Sequence, residues 1–303
     1  MRRDSNKMSK IESKAVEYSS AKVKRTVLNV ITHIFLTVLS IVWVSPVLWV
    51  IITSFRAEKG NTPKKLIPDS FTLDNYKKLF TDTGSGINFP KMFMNTLIIS
   101  VIVCVISSIF VLSVAYTMSR LRFKMRKTIM NVCMILGLFP GFMSMIAVYY
   151  ILKALGLTEG AMIRVALIMV YSGGSGMGFY IAKGFFDTIP KQLDEAACID
   201  GATKFQVFTK IIMPLSKPII VYTVLTSFMG PWLDFIFAKV ICRINKDYYT
   251  VAIGLWNMLE KEYQIQWFNS FCAGAVLISI PISIIFISMQ KFYQDGMAGA
   301  VKG

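Results

Sequence analysis

Apolar residues in this chain neither alternate nor recur as a narrow stripe; they come in long blocks separated by short polar stretches. Runs free of Asp, Glu, Lys and Arg cover 26–55, 92–119, 128–152, 165–182 and 263–290. A sixth, 218–233, extends to Ala238 if Asp234 is admitted. A helix needs roughly 20 mostly apolar residues to cross about 30 Å of hydrocarbon. Backbone groups in lipid must also pair within the segment. The pattern therefore predicts six transmembrane helices, at about 27–55, 92–119, 128–152, 162–186, 212–238 and 268–292. Pro46, Pro140, Pro231 and Pro281 fall inside such blocks, where each removes a donor and bends its helix, as suits a bundle around a cavity.

The links carry weaker patterns. In 56–91, "SFTLDNYKKLF" reads as a short amphipathic helix with Phe71, Leu73, Tyr76, Leu79 and Phe80 as its apolar contacts. In 239–267, two to three helical turns are expected around Ile253 to Leu259. Trp43, Trp49, Tyr149, Tyr150 and Trp267 fall near the predicted span ends, where interfacial aromatics belong.

Composition agrees with the blocks. Of 303 residues, 54% are hydrophobic and only 17% charged, whereas soluble domains average about a quarter charged. The net charge of +16 suggests nucleic acid until its distribution is considered. Eight Lys and Arg precede the first block, against three acids, and "RLRFKMRK" at 120–127 holds five basic residues and no acid. Basic residues accumulate on cytoplasmic segments, so both termini are expected in the cytosol, with 1–26 and 293–303 as tails around a 27–292 membrane domain. The first block is too long for a signal-peptide core, so no cleavable leader is expected. Five scattered cysteines and a single histidine, His33, leave no metal-ligand spacing and no disulfide framework.

Two chemical possibilities are weak. "GGSG" at 173–176 resembles the serine motif of intramembrane proteases, but a serine nucleophile needs a base and His33 is expected at the far end of another span. Gly174 and Gly178, four apart, are better read as a face for close helix packing. No phosphate-binding GxxxxGK[ST] occurs, so ATP is not expected on this chain. An ion-coupled carrier would keep several ionisable groups within its spans, and only Asp234 and Lys183 qualify; a partner such as Lys239 is the simpler role for Asp234.

Between the fourth and fifth spans lies "DEAACIDGATKFQVFTKIIMPL". Pro190 suits a first helical turn, Asp194 and Glu195 favour the positive end of the helix dipole, and Ala196 and Ala197 leave room for a partner. Asp200-Gly201 signals a turn, and Thr203 with Gln206 has the capping-box spacing that starts a second helix. Phe205, Phe208, Ile211 and Ile212 give that helix an apolar face, before Pro214 and Pro218 end or bend it.

This segment resembles the signature of the membrane subunits of binding-protein-dependent ABC importers: EAA, three residues, Gly, nine residues, I-x-L-P. Glu195, Ala196, Ala197, Gly201, Ile211 and Pro214 fit in register, with Met213 in the place of Leu. "SFTLDNYKKLF", "NTLIIS" and the closing "GAVKG" resemble the carbohydrate-uptake branch. "VYSGGSGMGFYIAKGFFDTIPKQLDEAA" and "LTSFMGPWLDFIFAKVI" resemble the smaller, maltose-type permease subunit and its relatives for malto- and galacto-oligosaccharides.

The resemblance implies an all-α, six-helix permease of the type I importer fold in a bacterial cytoplasmic membrane. It implies that 188–214, with Glu195, Ala196, Ala197, Asp200, Gly201, Ile211 and Pro214, couples to cytosolic ATPase subunits, which alone bind ATP and magnesium; the chain itself is then no enzyme. A homologous second permease and an external sugar-binding protein complete the implied assembly. For the sugar path the candidates are Tyr116, Tyr149, Tyr180, Trp232 and Asp234, each with packing as its simpler role. The alternative is an ion-coupled sugar carrier acting alone.

Overall fold

The computed structural model describes residues 2–60, 65–82, 87–138, 141–174, 178–260 and 264–300. Among these the chain is helical, and its only strand-like feature is an isolated bridge between Arg56 and Phe71. The elements run α1 (Arg2–Ser54), α2 (Asp74–Thr81), α3 (Phe89–Arg120), α4 (Arg126–Gly137), α5 (Gly141–Ala154), α6 (Met162–Gly174) and α7 (Phe179–Thr188). Then follow α8 (Gln192–Ile199), α9 (Lys204–Gln206), a π-helical stretch Val207–Ile212, α10 (Met213–Leu215), α11 (Lys217–Leu233), α12 (Ile236–Cys242), a 3-10 turn at Lys246–Tyr248, α13 (Val251–Met258) and α14 (Gln264–Ala300). Two compact units divide at Thr53–Ser54, the first being α1.

Four helical stretches are long and apolar enough to cross a membrane: Lys24–Ser54, Phe89–Arg120, Met162–Thr188 and Gln264–Phe292. A bent pair, Lys204–Leu215 with Lys217–Leu233, supplies a fifth if counted as one span. The six expected spans are thus altered in two places. The block 128–152 is divided between α4 and α5, of 12 and 14 residues, with Gly137 and Pro140 in the sequence at the junction; Pro140 itself lies outside the described residues. The expected 212–238 span begins instead at Lys217 and ends at Leu233. Ser216 leaves helical geometry and Pro218 stands in the first turn of α11, so the chain turns by 86° between the two helices. The expected tails are helical too: α1 begins at Arg2 and α14 runs to Ala300.

Within the second unit α3 is the central rod, packed against α6, α7 and α11, and α11 packs in turn on α14. Three apolar clusters follow its length. One, with Val111, Ala115, Phe179, Phe186 and Ile212, surrounds its C-terminal half. Another joins Ile99 and Val103 to Ile163, Leu167 and Ile241. A third gathers Leu79, Phe89, Trp232, Met258 and Trp267. At the start of α3, Asn95 donates to the Asp247 and Tyr249 carbonyls at 2.9 and 3.2 Å and accepts from Arg164 Nε at 3.0 Å. The neighbouring Thr96 hydroxyl accepts the Val251 N–H at 2.8 Å. There α13 comes so close that Met92 Sδ stands where a Cβ on Gly254 would be.

Both expected link helices form, as α2 and α13. In α2, however, Leu79 is buried and Tyr76 bonds the Ser54 hydroxyl at 2.7 Å, while Phe71, Leu73 and Phe80 are exposed. Trp267 is only 2% exposed, lying under the Lys78 ammonium at 3.9 Å from the ring centroid, so it is a core residue and not an interfacial anchor. Burial there pushes the Lys78 pKa down. In the 56–72 link, Arg56 donates to the Lys65 and Leu66 carbonyls, and Glu58 accepts the Asp69 N–H at 2.7 Å. Its own backbone N–H, then that of Asp69 and the Arg56 charge, hold the Glu58 carboxyl below its usual pKa, against desolvation that raises it.

Candidate functional site

The segment 188–214 folds from its own local signals. Asp194 and Glu195 occupy the first turn of α8, and Lys191 precedes that helix. Its end is a Schellman motif: the Gly201 N–H donates to Cys198 O at 3.1 Å, and the Ala202 N–H donates to Ala197 O at 2.9 Å. Gly201 takes φ +84, where a Cβ is strained, yet no atom lies within 4 Å of the place that Cβ would occupy. The capping box is complete, with Thr203 Oγ1 accepting the Gln206 N–H and Gln206 Oε1 accepting the Thr203 N–H. Ala197, Val207 and Ile212 are buried, and the Phe208 ring packs tilted against Tyr116, with centroids 4.7 Å apart. Ile199 and Phe205, on either side of the turn, are 86% and 72% exposed. Phe205 therefore does not join the apolar face expected of it, because that face turns toward α3 and α7.

Two side chains at the end of α3, Tyr116 and Arg120, hold this segment, and a third, Ser119, ties the neighbouring end of α7. The Tyr116 hydroxyl donates to Lys204 O at 3.0 Å. Arg120 donates through Nη2 to the Phe186 and Ile189 carbonyls, both at 2.8 Å, capping the end of α7. Its Nε lies 3.5 Å from the Asp194 carboxylate, with side-chain exposures of 3% and 14%. Ser119 donates to Asp187 Oδ1 at 2.6 Å, and Lys183 pairs with the other carboxylate oxygen at 2.5 Å. The intramembrane lysine suspected from sequence is thus paired within its own helix. Two hollows flank the turn. A cleft of about 730 Å³ lies between α8 and the 119–126 segment, with Glu195 in its lining. The other, about 460 Å³, is lined by Asp200, Gly201, Ala202, Gln206, Lys210 and Ile211. Ala196 and Pro214 are exposed beyond them.

The five sugar-path candidates do not converge. Tyr116 serves the segment just described. Tyr149 accepts from Arg243 Nη1 at 2.8 Å. Tyr180 donates to the Met130 carbonyl. Trp232 is buried against Phe93 and Phe228. Asp234, at the break after α11, accepts the Tyr171 hydroxyl at 2.6 Å and the Phe237 and Ala238 N–H groups at the start of α12. Its structural partners are therefore Tyr171 and a helix start, and not Lys239, whose ammonium reaches Asn257 Oδ1 at 3.3 Å. A Cβ on Gly178 would meet Val111 at 3.8 Å, whereas one on Gly174 would meet no atom within 4 Å, so the two glycines do not share one close-packed face within this chain. Ser175 lies outside the described residues.

Sequence reasoning missed a half-open hollow of about 280 Å³ among α3, α6 and α11, where the hydroxyls of Ser107, Tyr171, Tyr222, Thr226 and Ser227 interrupt a largely apolar wall. Ser107 Oγ is buried there without a hydrogen-bond partner. Pro231 has no N–H to give the Ser227 carbonyl four residues back. The signal was present as Tyr222, Thr226 and Gly230, four apart on one helical face of an apolar span.

The family described as "Binding-protein-dependent transport system inner membrane component" matches residues 111–299. Over 284 residues the chain is 35% identical to the galactooligosaccharides transport system permease protein GanQ of Bacillus subtilis, covering 93% of this chain and 98% of that one. It is 33% identical to the maltodextrin permease protein MdxG of the same species, over 94% of this chain and 100% of the relative. With the maltose/maltodextrin permease protein MalG of Escherichia coli it shares 31%, over 90% and 95%. Among solved structures, a bacterial ABC transporter that imports the acidic polysaccharide alginate superposes with a TM-score of 0.68 at 19% identity, covering 88% of this chain and 96% of that one. At that identity the likeness is one of fold.

Proposed function

This chain belongs to the family of binding-protein-dependent transport system inner membrane components, and from that premise we propose that it is one of two homologous permeases forming the path of an ATP-driven oligosaccharide importer. It is a multi-pass membrane protein whose relatives are permease subunits for maltodextrins and galactooligosaccharides. The substrate in this reading is a malto-oligosaccharide or a close relative. ATP and magnesium belong to cytosolic ATPase subunits, and an external binding protein delivers the sugar. Both termini lie in the cytosol.

The observation that carries the reading is the turn at Gly201. The EAA-register segment presents exposed Ile199 and Phe205 beside an open, positive-φ glycine, while Tyr116, Arg120 and Asp194 fasten its other side to α3. An element so exposed on one side and so fastened on the other suits a coupling helix. The hydroxyl-lined cavity beside α11 offers the donors and acceptors that a sugar needs on its way.

The test is transport by the assembled complex in vesicles. Uptake is expected to require ATP, the binding protein and all partner chains. Gly201→Trp is expected to leave insertion and pairing with the second permease intact and to abolish uptake. No atom crowds the Cβ position, so the substitution adds only about 1 kcal/mol of backbone strain, and the block falls on the partner. Glu195→Ala, whose side chain lines the other hollow, acts more mildly. Wild-type uptake by Gly201→Trp would overturn the coupling assignment, and uptake by the chain alone on an ion gradient would establish the carrier reading instead.

A further inference from the structure

Of the cleft between α8 and the 119–126 segment the coupling reading uses Glu195, whereas Arg122 and Arg126, which also line it, have no part in that reading. Its lining includes Arg120, Arg122, Arg126, Lys191 and Lys204 against two carboxylates, Asp194 and Glu195. Asp194 is committed to Arg120. Among the described residues Arg122, Arg126 and Lys191 form no ion pair, and the buried Arg120 keeps Nη1 without an acceptor. The cleft is thus a cationic hollow of about 730 Å³ whose positive charge exceeds what its own acids neutralise.

Its position and its border are equally specific. Arg120 closes the apolar Phe89–Arg120 helix, so the cleft begins where the chain passes from a charge-free run to the basic stretch 120–127. From 121 to 126 the chain alternates Leu, Arg, Phe, Lys, Met, Arg. Phe123 and Met125 are exposed, and so are Val132, Ile135 and Leu136 farther along α4. A hollow that is cationic inside and apolar at its margin matches a ligand with an anionic head and hydrocarbon tails.

We infer that this cleft binds the headgroup of an anionic phospholipid, such as phosphatidylglycerol, with Arg122 and Arg126 on the phosphate and the acyl chains along Phe123, Met125 and α4. The bound lipid bridges α3–α4 to α8 and so tunes the joint that fastens the coupling segment. The placement at headgroup depth in the cytosolic leaflet rests on the proposed function.

The test uses the complex with its partner chains in nanodiscs of phosphatidylcholine, with and without phosphatidylglycerol. Retained lipid is read by native mass spectrometry, and ATP hydrolysis is measured with binding protein present. Wild type is expected to retain phosphatidylglycerol selectively and to hydrolyse ATP faster with it. Arg122→Gln with Arg126→Gln should weaken retention on the order of tenfold and remove the lipid response, leaving hydrolysis in phosphatidylcholine unchanged. Arg122→Lys with Arg126→Lys should restore much of the retention. Undiminished retention by the glutamine variant would overturn the inference. So would displacement of the lipid by inorganic phosphate, which would make a soluble anion the ligand. Loss of the ATPase subunits from that variant would make the cleft a protein dock. ATP hydrolysis that does not respond to binding protein in any lipid would overturn the importer reading alone, because lipid retention still reports on the cleft.

Discussion

The two ends of α3 are fastened by different chemistry. At the Asn95 end a neutral amide bridges two carbonyls and a hydroxyl takes a backbone N–H, with charges only around them in Arg164 and the exposed Lys91–Asp247 pair, and α13 is pressed close enough to fill the Cβ space of Gly254. At the Arg120 end a buried guanidinium joins the last carbonyls of α7 to a carboxylate of α8, with an Asp–Ser–Lys cluster beside it. Close neutral packing defines one arrangement and resists any other. A charged joint can exchange partners, but it is costly to leave half-made. The rigid end carries the link helices; the charged end carries the segment proposed to move.

The contrast is broken most severely at Arg120. Arg120→Met leaves Asp194 nearly buried without its ion-pair partner and takes the guanidinium donor from the Phe186 and Ile189 carbonyls, the first of which keeps the Ile189 N–H, for an expected loss of about 3–5 kcal/mol. The readout is the thermal midpoint and yield of the assembled complex. Adding Asp194→Leu should recover part of that loss, and no recovery would show that the carbonyl bonds dominate. At the opposite end, Asn95→Ala strands the Asp247 and Tyr249 carbonyls and Arg164, for about 1–3 kcal/mol. Hydrogen exchange should localise the loosening to 245–251, and loosening at 186–204 instead would abolish the distinction between the ends. Tyr116→Phe removes one bond to Lys204 O, for about 0.5–1.5 kcal/mol, and should slow uptake more than it lowers yield. The smallest effect is expected at Asp234→Asn. The amide oxygen still accepts one of the two N–H groups at the start of α12, as Asn does at helix starts, and its NH2 can donate to the Tyr171 oxygen, so yield and uptake should stay near wild type. A large transport defect with normal yield would return Asp234 to the sugar path.

The parts legible in the sequence were those written locally. Four of the charge-free blocks marked the four long apolar helices, and Asp200-Gly201 with Thr203 and Gln206 marked a turn whose Schellman motif and capping box both form. What was not legible depends on partners far along the chain. Nothing around Arg120 announces that Asp194, 74 residues later, will lie beside it. Trp267 read as an interfacial anchor because its contact, Lys78, is 189 positions away. Asp234 was given the neighbour available in its own helix, whereas its hydroxyl partner comes from α6. The bend before α11 was half visible: Pro214 and Pro218 foretold an interruption, but not that Ser216 would turn the chain through 86°.

That elbow has a mechanical meaning. Lys204–Leu215 is an arm about 18 Å long, by the rise of a helix, hinged nearly square to Lys217–Leu233. A thrust directed along a straight helix would merely translate it, whereas a sideways thrust at the tip of a square crank produces torque. With this arm a tip movement of about 1 Å corresponds to a rotation of roughly 3°. The face of α11 that carries Tyr222, Thr226 and Gly230 would turn through that angle, so the cavity wall is geared to the tip.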